Sequence, residues 1–299
     1  MERAVKGRGD RILQIVIIAL LTLLMLAAIL PFVLLVASSF SDEASLMKDG
    51  YGFWPRGFSL YAYQYLFVTN ASTIFRAYGI TFFITIVGTC LSLLIGPMLA
   101  WPLSRRDYPR AKAVTFVIFF TMLLNGGMVP SYIMWTNIFH IKNSIVSLIL
   151  PNLVFNGFYI ILYKNNFSSN IHPALVEAAR LDGAGEFYIY RKIVLPLSLP
   201  ILATVGLMVG IGYWNDWVNG LYYITDTRLY SLQVFLNNMM SNMRALVSLS
   251  SGIDVGIGDL PAISIRMAIA VVGTLPILIL YPFFQKAFIA GIALGGVKE

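Results

Sequence analysis

Long stretches without a charged residue alternate with short polar segments along this chain. A helix needs about 20 apolar residues to cross the hydrocarbon core of a bilayer, and six stretches are long enough. We predict six transmembrane helices, at about residues 12–40, 77–104, 113–136, 143–163, 196–216 and 265–286. The polar remainder comprises a short N-terminus and three larger segments, at 1–11, 42–76, 164–195 and 217–264. The pattern predicts an all-α integral membrane protein with a single transmembrane domain over residues 12–299.

Composition agrees with this prediction. Hydrophobic residues make up 58% of the chain and charged residues 12%, whereas a soluble domain has roughly 25% charged residues. A formal net charge of +7 would suit nucleic-acid binding, but the basic residues lie in short clusters between apolar stretches, which disfavours that class. Cys90 is the one cysteine, so no disulfide framework is expected.

The distribution of Lys and Arg predicts the orientation. Cytoplasmic loops of membrane proteins carry an excess of these residues. Segments 1–11, 104–112, 164–192 and 286–299 hold fourteen of them, whereas segments 42–75 and 216–262 together with Lys142 hold five. We therefore expect both termini and segment 164–195 in the cytoplasm, and segments 42–76 and 217–264 outside. The first span is too long and too uniformly apolar for a cleaved signal peptide, so we interpret it as an anchor.

The cytoplasmic segment 164–195 has the signals of a short helix followed by a turn. His172 and Pro173 can start a helix, because Pro is tolerated in the first turn. Gly183 suits a left-handed cap that ends it. Glu177 and Arg180 are three residues apart and can pair. A small apolar face is expected from three residues at helical spacing: Ala174, Ala178 and Leu181.

Residues 177–196 read EAARLDGAGEFYIYRKIVLP. This stretch resembles the EAA motif of the membrane permeases of ATP-binding-cassette (ABC) importers. The family forms a coupling helix there, which fits a cleft of the cytoplasmic ATPase subunit. The resemblance implies a coupling role for the matching residues: Glu177, Ala178, Ala179, Arg180, Asp182, Gly183, Ile193, Leu195 and Pro196.

The resemblance extends over nearly the whole chain. Six spans with cytoplasmic ends match the type I importer permeases of the carbohydrate type, including the maltose-type transporters. Residues 125–132 (NGGMVPSY), 214–217 (WNDW) and the tail 290–298 (AGIALGGVK) look like their counterparts in the oligo- and polysaccharide branch. The tail is expected, by analogy, to contact the ATPase as well.

The resemblance also implies the partners. The chain has no Gly-x-x-x-x-Gly-Lys-Ser/Thr sequence with which to cradle nucleotide phosphates, so ATP and Mg would be bound by a partner ATPase dimer. A second, different permease would complete the pathway, and an extracellular or periplasmic solute-binding protein would deliver the saccharide. We expect a multi-pass subunit of the bacterial plasma membrane that is not an enzyme and holds no cofactor or metal of its own.

Polar and aromatic residues within the spans are candidates for the substrate pathway. Asn152, Asn156, Tyr159 and Tyr163 would share one helical face, which predicts either a pathway wall for a hydroxyl-rich solute or interhelical hydrogen bonds. Asn125 with Gly126 and Gly127 could break the third span at a transport site. We favour close helix packing for these glycines, as for Gly206 and Gly210. Four further candidates close the fifth span on the outer side, where an aromatic belt is the more common role: Tyr213, Trp214, Asn215 and Trp217.

Other functional classes are less well supported. No charged residue lies at the centre of a predicted span, which favours a neutral saccharide and disfavours an ion-gradient-driven secondary transporter, the main alternative. Residues 256–259 spell the Gly-x-Gly-Asp of intramembrane aspartyl proteases, but that chemistry needs two carboxylates close together within the membrane. A membrane scaffold without transport activity would leave the coupling motif without a role.

Overall fold

The computed structural model describes residues 8–124, 126–250 and 262–296. These residues are almost entirely helical, with one isolated β-bridge between Ser41 and Phe58. The α-helices, in chain order, are α1 Arg8–Ser39, α2 Glu43–Asp49, α3 Tyr61–Gln64, α4 Ala71–Ser104, α5 Ala111–Leu123, α6 Met128–Ile133, α7 Val146–Ile149, α8 Gly157–Asn170, α9 Pro173–Leu181, α10 Glu186–Ile189, α11 Leu195–Leu197, α12 Leu199–Trp214, α13 Val218–Tyr223, α14 Leu232–Ser250 and α15 Ala262–Gly296. One compact unit comprises the residues up to 71 with 239–274, and a second comprises 72–238 with the residues from 275 onward.

In the first unit, α1 is apolar on all sides. Its apolar portion, Ile12–Ser39, is 28 residues long, and the most hydrophobic window within it buries no residue against the rest of the chain. A helix that is hydrophobic all round must be covered by lipid or by other protein. The predicted first span is therefore a continuous helix of spanning length.

Glu43 joins two helices of the first unit. Asp42 caps the N-terminus of α2, and the neighbouring Glu43 carboxylate, which is buried, accepts three hydrogen bonds from the first turn of α15. They come from the backbone N–H of Ile263 (2.7 Å) and from the backbone N–H and hydroxyl of Ser264 (2.9 and 2.8 Å). A carboxylate satisfies the free N–H groups at a helix N-terminus and complements the helix dipole.

The second unit is built around α4, which confirms the predicted second span as one long helix. Small residues on α4 admit large aromatic ones: a Cβ on Gly96 would lie 3.1 Å from the Tyr163 ring, and Gly88 lies against the ring of Tyr213. On α12, a Cβ on Gly206 would lie 3.2 Å from the Leu93 side chain of α4, and a Cβ on Gly210 would lie 3.6 Å from the Thr89 hydroxyl of α4. These last two glycines are thus packing positions, as expected.

The third predicted span is interrupted. Helix α5 ends at Leu123 and α6 begins at Met128. Gly127 has φ of +85°, and a Cβ there would meet nothing within 4 Å. A Cβ on Gly126 would meet only Pro130 of the adjoining helix, at 3.8 Å, so among the described residues neither glycine packs closely against another span, contrary to the expectation, and the alternative of a break in the third span holds. Gly127 instead provides a backbone conformation that other residues rarely adopt.

The fourth predicted span is also interrupted. Helix α7 continues as a π-helical turn, Leu150–Val154, and the chain then leaves the helix. Asn156 has extended backbone angles, and its side chain accepts a hydrogen bond from the N–H of Phe158 (3.0 Å), which makes it the N-cap of α8. Residues 152 to 163 therefore do not form one continuous helical face, and the predicted stripe is wrong. An N-cap Asn stabilises a helix start, which a count of apolar residues does not reveal.

The fifth span follows a sharp bend. The segment Glu186–Leu197 and helix α12 meet at an angle of 79°, at Ser198. Pro196 and Pro200 flank this point, and both lack the N–H that a continuous helix would use.

Within the described residues, two helices are long and apolar enough to cross a membrane, α1 and α4, by length and composition. Two bent pairs, α5 with the segment to Ile138 and Glu186–Leu197 with α12, would raise the number to four if each pair is one span. The helix at the chain end continues well past the predicted boundary of 286, to Gly296.

Asn143, the first residue of the predicted fourth span, binds the segment 217–264 that we predicted to be external. This residue has a positive φ of 55°, which Asn tolerates better than most residues. Its side-chain oxygen accepts from the N–H groups of Thr225 (2.6 Å) and Asp226 (3.2 Å), and its own N–H donates to the carbonyl of Tyr223 (2.9 Å). The short connection before α7 is thereby fixed to the chain that follows α13.

Candidate functional site

The candidate coupling segment is a helix, a glycine turn and a second short helix. His172 Nδ1 accepts a hydrogen bond from the N–H of Ala174 (3.3 Å), and Pro173 occupies the first helical position. Gly183 has φ of +82° and its N–H donates to the carbonyl of Arg180 (2.9 Å). The helix therefore begins and ends as the sequence predicts, between an N-cap and a left-handed glycine.

Helix α9 presents most of its surface to its surroundings. Val176 is its one buried residue, and Leu181 is 89% exposed. The expected small apolar face is exposed along its length, and large apolar side chains around it are exposed too: Leu175, Phe187 and Tyr188. An exposed apolar patch of this kind marks an interaction surface.

The residues of the candidate coupling site occupy two environments. Most are exposed on α9 and its turn: Glu177, Ala178, Arg180, Asp182 and Gly183, with Ala179 half-buried. Ile193 and Leu195 are half-buried against a hydrophobic cluster that includes Val194 and Val205. Pro196 is exposed at the start of α11. One end of the segment is thus free for contact, and the other is anchored in the helices.

Arg180 does not pair with Glu177, contrary to the sequence expectation. Its guanidinium instead donates to Glu186 Oε1, from Nη2 at 2.8 Å and from Nε at 3.1 Å. Nη2 also donates to Asp107 Oδ2 at 3.1 Å. Arg105 contacts the same two carboxylates. The turn at Gly183 brings Glu186 back towards α9, within contact distance of the Arg180 guanidinium.

The charges in this cluster influence one another. Hydrogen bonding from Arg105 holds the pKa of the Asp107 carboxyl below its usual value. Asp107 is therefore ionised throughout the neutral range, and its attraction to the two guanidinium groups is lost only when the pH falls through that lowered pKa.

A cleft lies beside this cluster. It has a volume of about 480 Å³ and is mostly apolar, with Trp101, Tyr108 and Phe187 among its lining residues. The Arg105 guanidinium lies over the ring of Trp101, 5.7 Å from its centroid. The cytoplasmic end predicted for α4 therefore contributes both polar and aromatic contacts to the coupling segment.

Among the described residues, none of the substrate-pathway candidates lines the cleft beside the charge cluster. Asn125 and the side chain of Asn152 lie outside the described residues, as do residues 256–259. Asn156 is a helix cap, and Tyr159 is half-buried against the hydrophobic cluster. Tyr213 is fully buried, and its hydroxyl donates to the carbonyl of Ile149 (2.7 Å).

The outer end of α12 is divided between buried and exposed residues. Trp214 is buried and packs edge-on against Phe82, with ring centroids 5.2 Å apart. Asn215 and Trp217 are exposed. Within this group the packing therefore assigns Tyr213 and Trp214 to the protein interior and leaves Asn215 and Trp217 exposed.

Sequence reasoning missed the residues that hold distant segments together. Arg105 and Glu186 are 81 residues apart, and Arg180 and Asp107 are 73 apart. Glu43 meets Ser264 across 221 residues. The sequence carries only a weak signal for such pairs, a charged residue directly beside a predicted span end or helix start.

Of the tail 290–298, the structure describes a helical backbone to Gly296.

Comparisons with known proteins agree with this architecture. Residues 88–293 match the family described as the binding-protein-dependent transport system inner membrane component. The chain is 35% identical over 295 residues to the polygalacturonan/rhamnogalacturonan transport system permease protein YtcP of Bacillus subtilis (strain 168), covering 97% of this chain and 99% of that protein. It is 29% identical over 279 residues to the arabinooligosaccharides transport system permease protein AraQ of Halalkalibacterium halodurans, covering 91% of each.

A solved structure is similar over nearly its whole length. A chain of a bacterial ABC transporter involved in the import of the acidic polysaccharide alginate superimposes with a TM-score of 0.78 at 29% sequence identity. The match covers 94% of this chain and 98% of that one.

Proposed function

Because the chain belongs to the family of binding-protein-dependent transport system inner membrane components, we propose that it forms half of the translocation pathway of an ATP-driven saccharide importer. The family is a membrane-embedded transport component and not an enzyme. Membership favours this function over the ion-gradient-driven transporter considered above. The observation that carries the proposal for this chain is the exposed helix α9, capped by His172 and Gly183 within an EAA-type sequence.

The proposed topology has six spans with both termini in the cytoplasm. The excess of Lys and Arg in segments 1–11, 104–112, 164–192 and 286–299 supports this orientation. The interrupted third and fourth spans fit it as well, because irregular backbone at membrane depth is tolerated where it is buried in protein or lines a cavity. The coupling segment would then face the cytoplasm, and Asn143 the outside.

In this arrangement α9 contacts a partner ATPase. Its exposed apolar face, with Ala174, Ala178 and Leu181, is small enough to enter a groove closely, and the anchored residues Ile193 and Leu195 would pass the motion to α12. A short helix in a groove is a recurring mode of protein recognition. The nucleotide chemistry would belong entirely to that ATPase, and a second permease and a solute-binding protein would complete the importer.

The proposed substrate is an oligosaccharide derived from a polysaccharide. YtcP is named for polygalacturonan and rhamnogalacturonan, and the alginate importer for an acidic polysaccharide. These similarities favour an acidic saccharide over the neutral one that the sequence suggested. Asn215 and Trp217 are the pathway candidates that the packing leaves exposed, and an amide beside an aromatic face suits a sugar ring.

The proposal is tested by purifying the tagged chain in mild detergent with the proteins that accompany it, followed by transport into liposomes. We expect recovery of an ATPase and a second permease, and uptake of labelled oligosaccharides that requires ATP and a binding protein. Acidic and neutral oligosaccharides of equal length should be compared, with an ATPase variant that cannot hydrolyse ATP as the control. A chain that purifies alone and transports without ATP would contradict the proposal.

A further inference from the structure

Four charged side chains, two from the connection between α4 and α5 and two from the coupling segment, form a closed ring. They are Arg105 after α4, Asp107 before α5, Arg180 on α9 and Glu186 at the start of α10. Each guanidinium contacts both carboxylates, so that positive and negative groups alternate around the ring. We call these four residues the charge ring.

The charge ring is more than a set of surface ion pairs. An isolated exposed ion pair contributes little to stability, whereas several charges in one network with two-point contacts contribute more. Arg105 is the most covered member, with its side chain 17% exposed and its guanidinium over Trp101. Asp107 and Glu186 are about half exposed. The ring is thus fixed on one side and open on the other.

The charge ring adds to limited apolar packing between α9 and the end of α4. Helix α9 buries one residue of its own, Val176, which belongs with the half-buried Ala179 to the hydrophobic cluster that contains Trp101 and Leu103 of α4. The ring adds ion pairs between the coupling segment and the connection from α4 to α5, and α8 contributes a hydrogen bond from Ser168 to the carbonyl of Ser104 (3.1 Å). A displacement of α9 by a partner has to break the ring or move the ends of α4 and α5 with it.

We propose that the charge ring makes the coupling segment and the adjacent ends of α4 and α5 move as one body, with Arg105 and Asp107 as positioning residues. This inference rests on the proposed function of α9. The connection between α4 and α5 carries no part of the EAA-type sequence. In this proposal it nevertheless helps to pass the motion of the ATPase to the membrane helices. Without the ring, α9 can follow the ATPase while α4 and α5 lag behind it.

The test compares two neighbouring cations in the assembled importer. Arg105→Gln removes a member of the ring, and Arg106→Gln removes an exposed charge from the next residue, which forms no ion pair with the described part of the chain. For Arg105→Gln we expect normal co-purification with the ATPase, but about three- to tenfold less uptake per ATP hydrolysed, as the loss of two ion pairs allows. Arg106→Gln should keep the wild-type ratio. An unchanged ratio in both variants would overturn the inference.

Charge reversal provides the second test, because the ring has a specific pairing pattern. Reversing Arg180 and Asp107 alone (R180E/D107R) leaves two attractive and two repulsive contacts, and should not restore coupling. Reversing all four members (R105E/D107R/R180E/E186R) restores four attractive contacts and should recover uptake per ATP relative to R180E. Equal ratios in the fourfold variant and R180E would count against the ring, whether or not R105Q assembles.

Failure of the proposed function gives a different result. In that case the wild-type complex shows no ATP-dependent uptake at all. If the wild type imports and the ring variants have the same ratio of uptake to ATP hydrolysis as the wild type, the importer stands and the charge ring is a local structural feature.

Discussion

At the scale of single residues, Gly88 makes room for a tyrosine of another helix. A Cβ on Gly88 would overlap the ring of Tyr213, which is fully buried and whose hydroxyl donates to Ile149. Tyr213 therefore serves packing between α4 and α12, although its position beside Trp214 at a span end suggested a belt or pathway residue. Only its distant partners Gly88 and Ile149 reveal this role, which is why the local sequence did not.

We expect Gly88→Ala to destabilise the protein by about 1–3 kcal/mol, the usual cost of overpacking a filled site. The matched control is Gly79→Ala on the same helix, where a Cβ meets nothing within 4 Å and the change should be neutral or slightly stabilising. The difference between the unfolding midpoints of the two variants is measured by thermal unfolding in detergent, with size-exclusion chromatography as the readout. Equal midpoints for the two variants would show that the ring of Tyr213 moves aside freely.

At the scale of elements, the end of α9 depends on the left-handed conformation of Gly183. A residue other than Gly costs roughly 1–2 kcal/mol there, a β-branched residue is least compatible, and Asn is tolerated. Space is not the constraint, since a Cβ on Gly183 meets nothing within 4 Å. Substitutions of Gly183 by Val and by Asn therefore test backbone strain without adding steric crowding.

For Gly183→Val we expect an altered α9 end and a lower ratio of uptake to ATP hydrolysis, whereas Gly183→Asn should stay near the wild type. The ratio is measured in liposomes containing the assembled importer. If both variants transport equally well, the cap does not matter for coupling, and a contact made by the glycine itself would have to be sought.

The long elements were predictable from hydropathy, whereas the broken ones were not, although Gly126 and Gly127 suggested the break in the third span as an alternative. Helices α1 and α4 follow from the length of their apolar stretches, and α9 from its His172–Pro173 start and Gly183 end. The breaks before α6 and α8 depend on backbone conformation at single residues, Gly127 and Asn156. A stretch without charges has the same composition whether or not its helix is continuous, so hydropathy alone misses them.

At the scale of the whole molecule, the proposed orientation is open to a direct test. Trp54 and Leu181 are both highly exposed, at 84% and 89%, and the six-span topology places them on opposite sides of the membrane. In a Cys90→Ala background, a membrane-impermeant maleimide should label Trp54→Cys in intact cells, and Leu181→Cys only after permeabilisation. Labelling of Leu181→Cys from outside would invert the topology and remove α9 from the reach of any cytoplasmic ATPase.

Whole-molecule function was the part that the sequence predicted best. The EAA-type stretch could be matched to its family from the sequence alone, because its identifying residues lie close together in one short contiguous segment. The packing of the pathway candidates could not be read from the sequence, since Tyr213 and Trp214 are buried and Asn156 is a helix cap, and the pathway itself stays a prediction. A pathway is assembled from several helices, and its lining follows from packing rather than from any one segment.

The hydrogen bond from the N–H of Leu232 to the Thr81 hydroxyl (2.8 Å) joins residues 151 positions apart. At a synthesis rate of about 5–20 residues per second, the ribosome needs roughly 8–30 s to deliver the second partner after the first. During that interval Thr81 is already in its helix, while the residues that will cover it have not yet been translated. Newly made α4 therefore exposes the face around Thr81 until α14 has been translated, and an incompletely covered apolar helix of this kind is open to misassembly during synthesis.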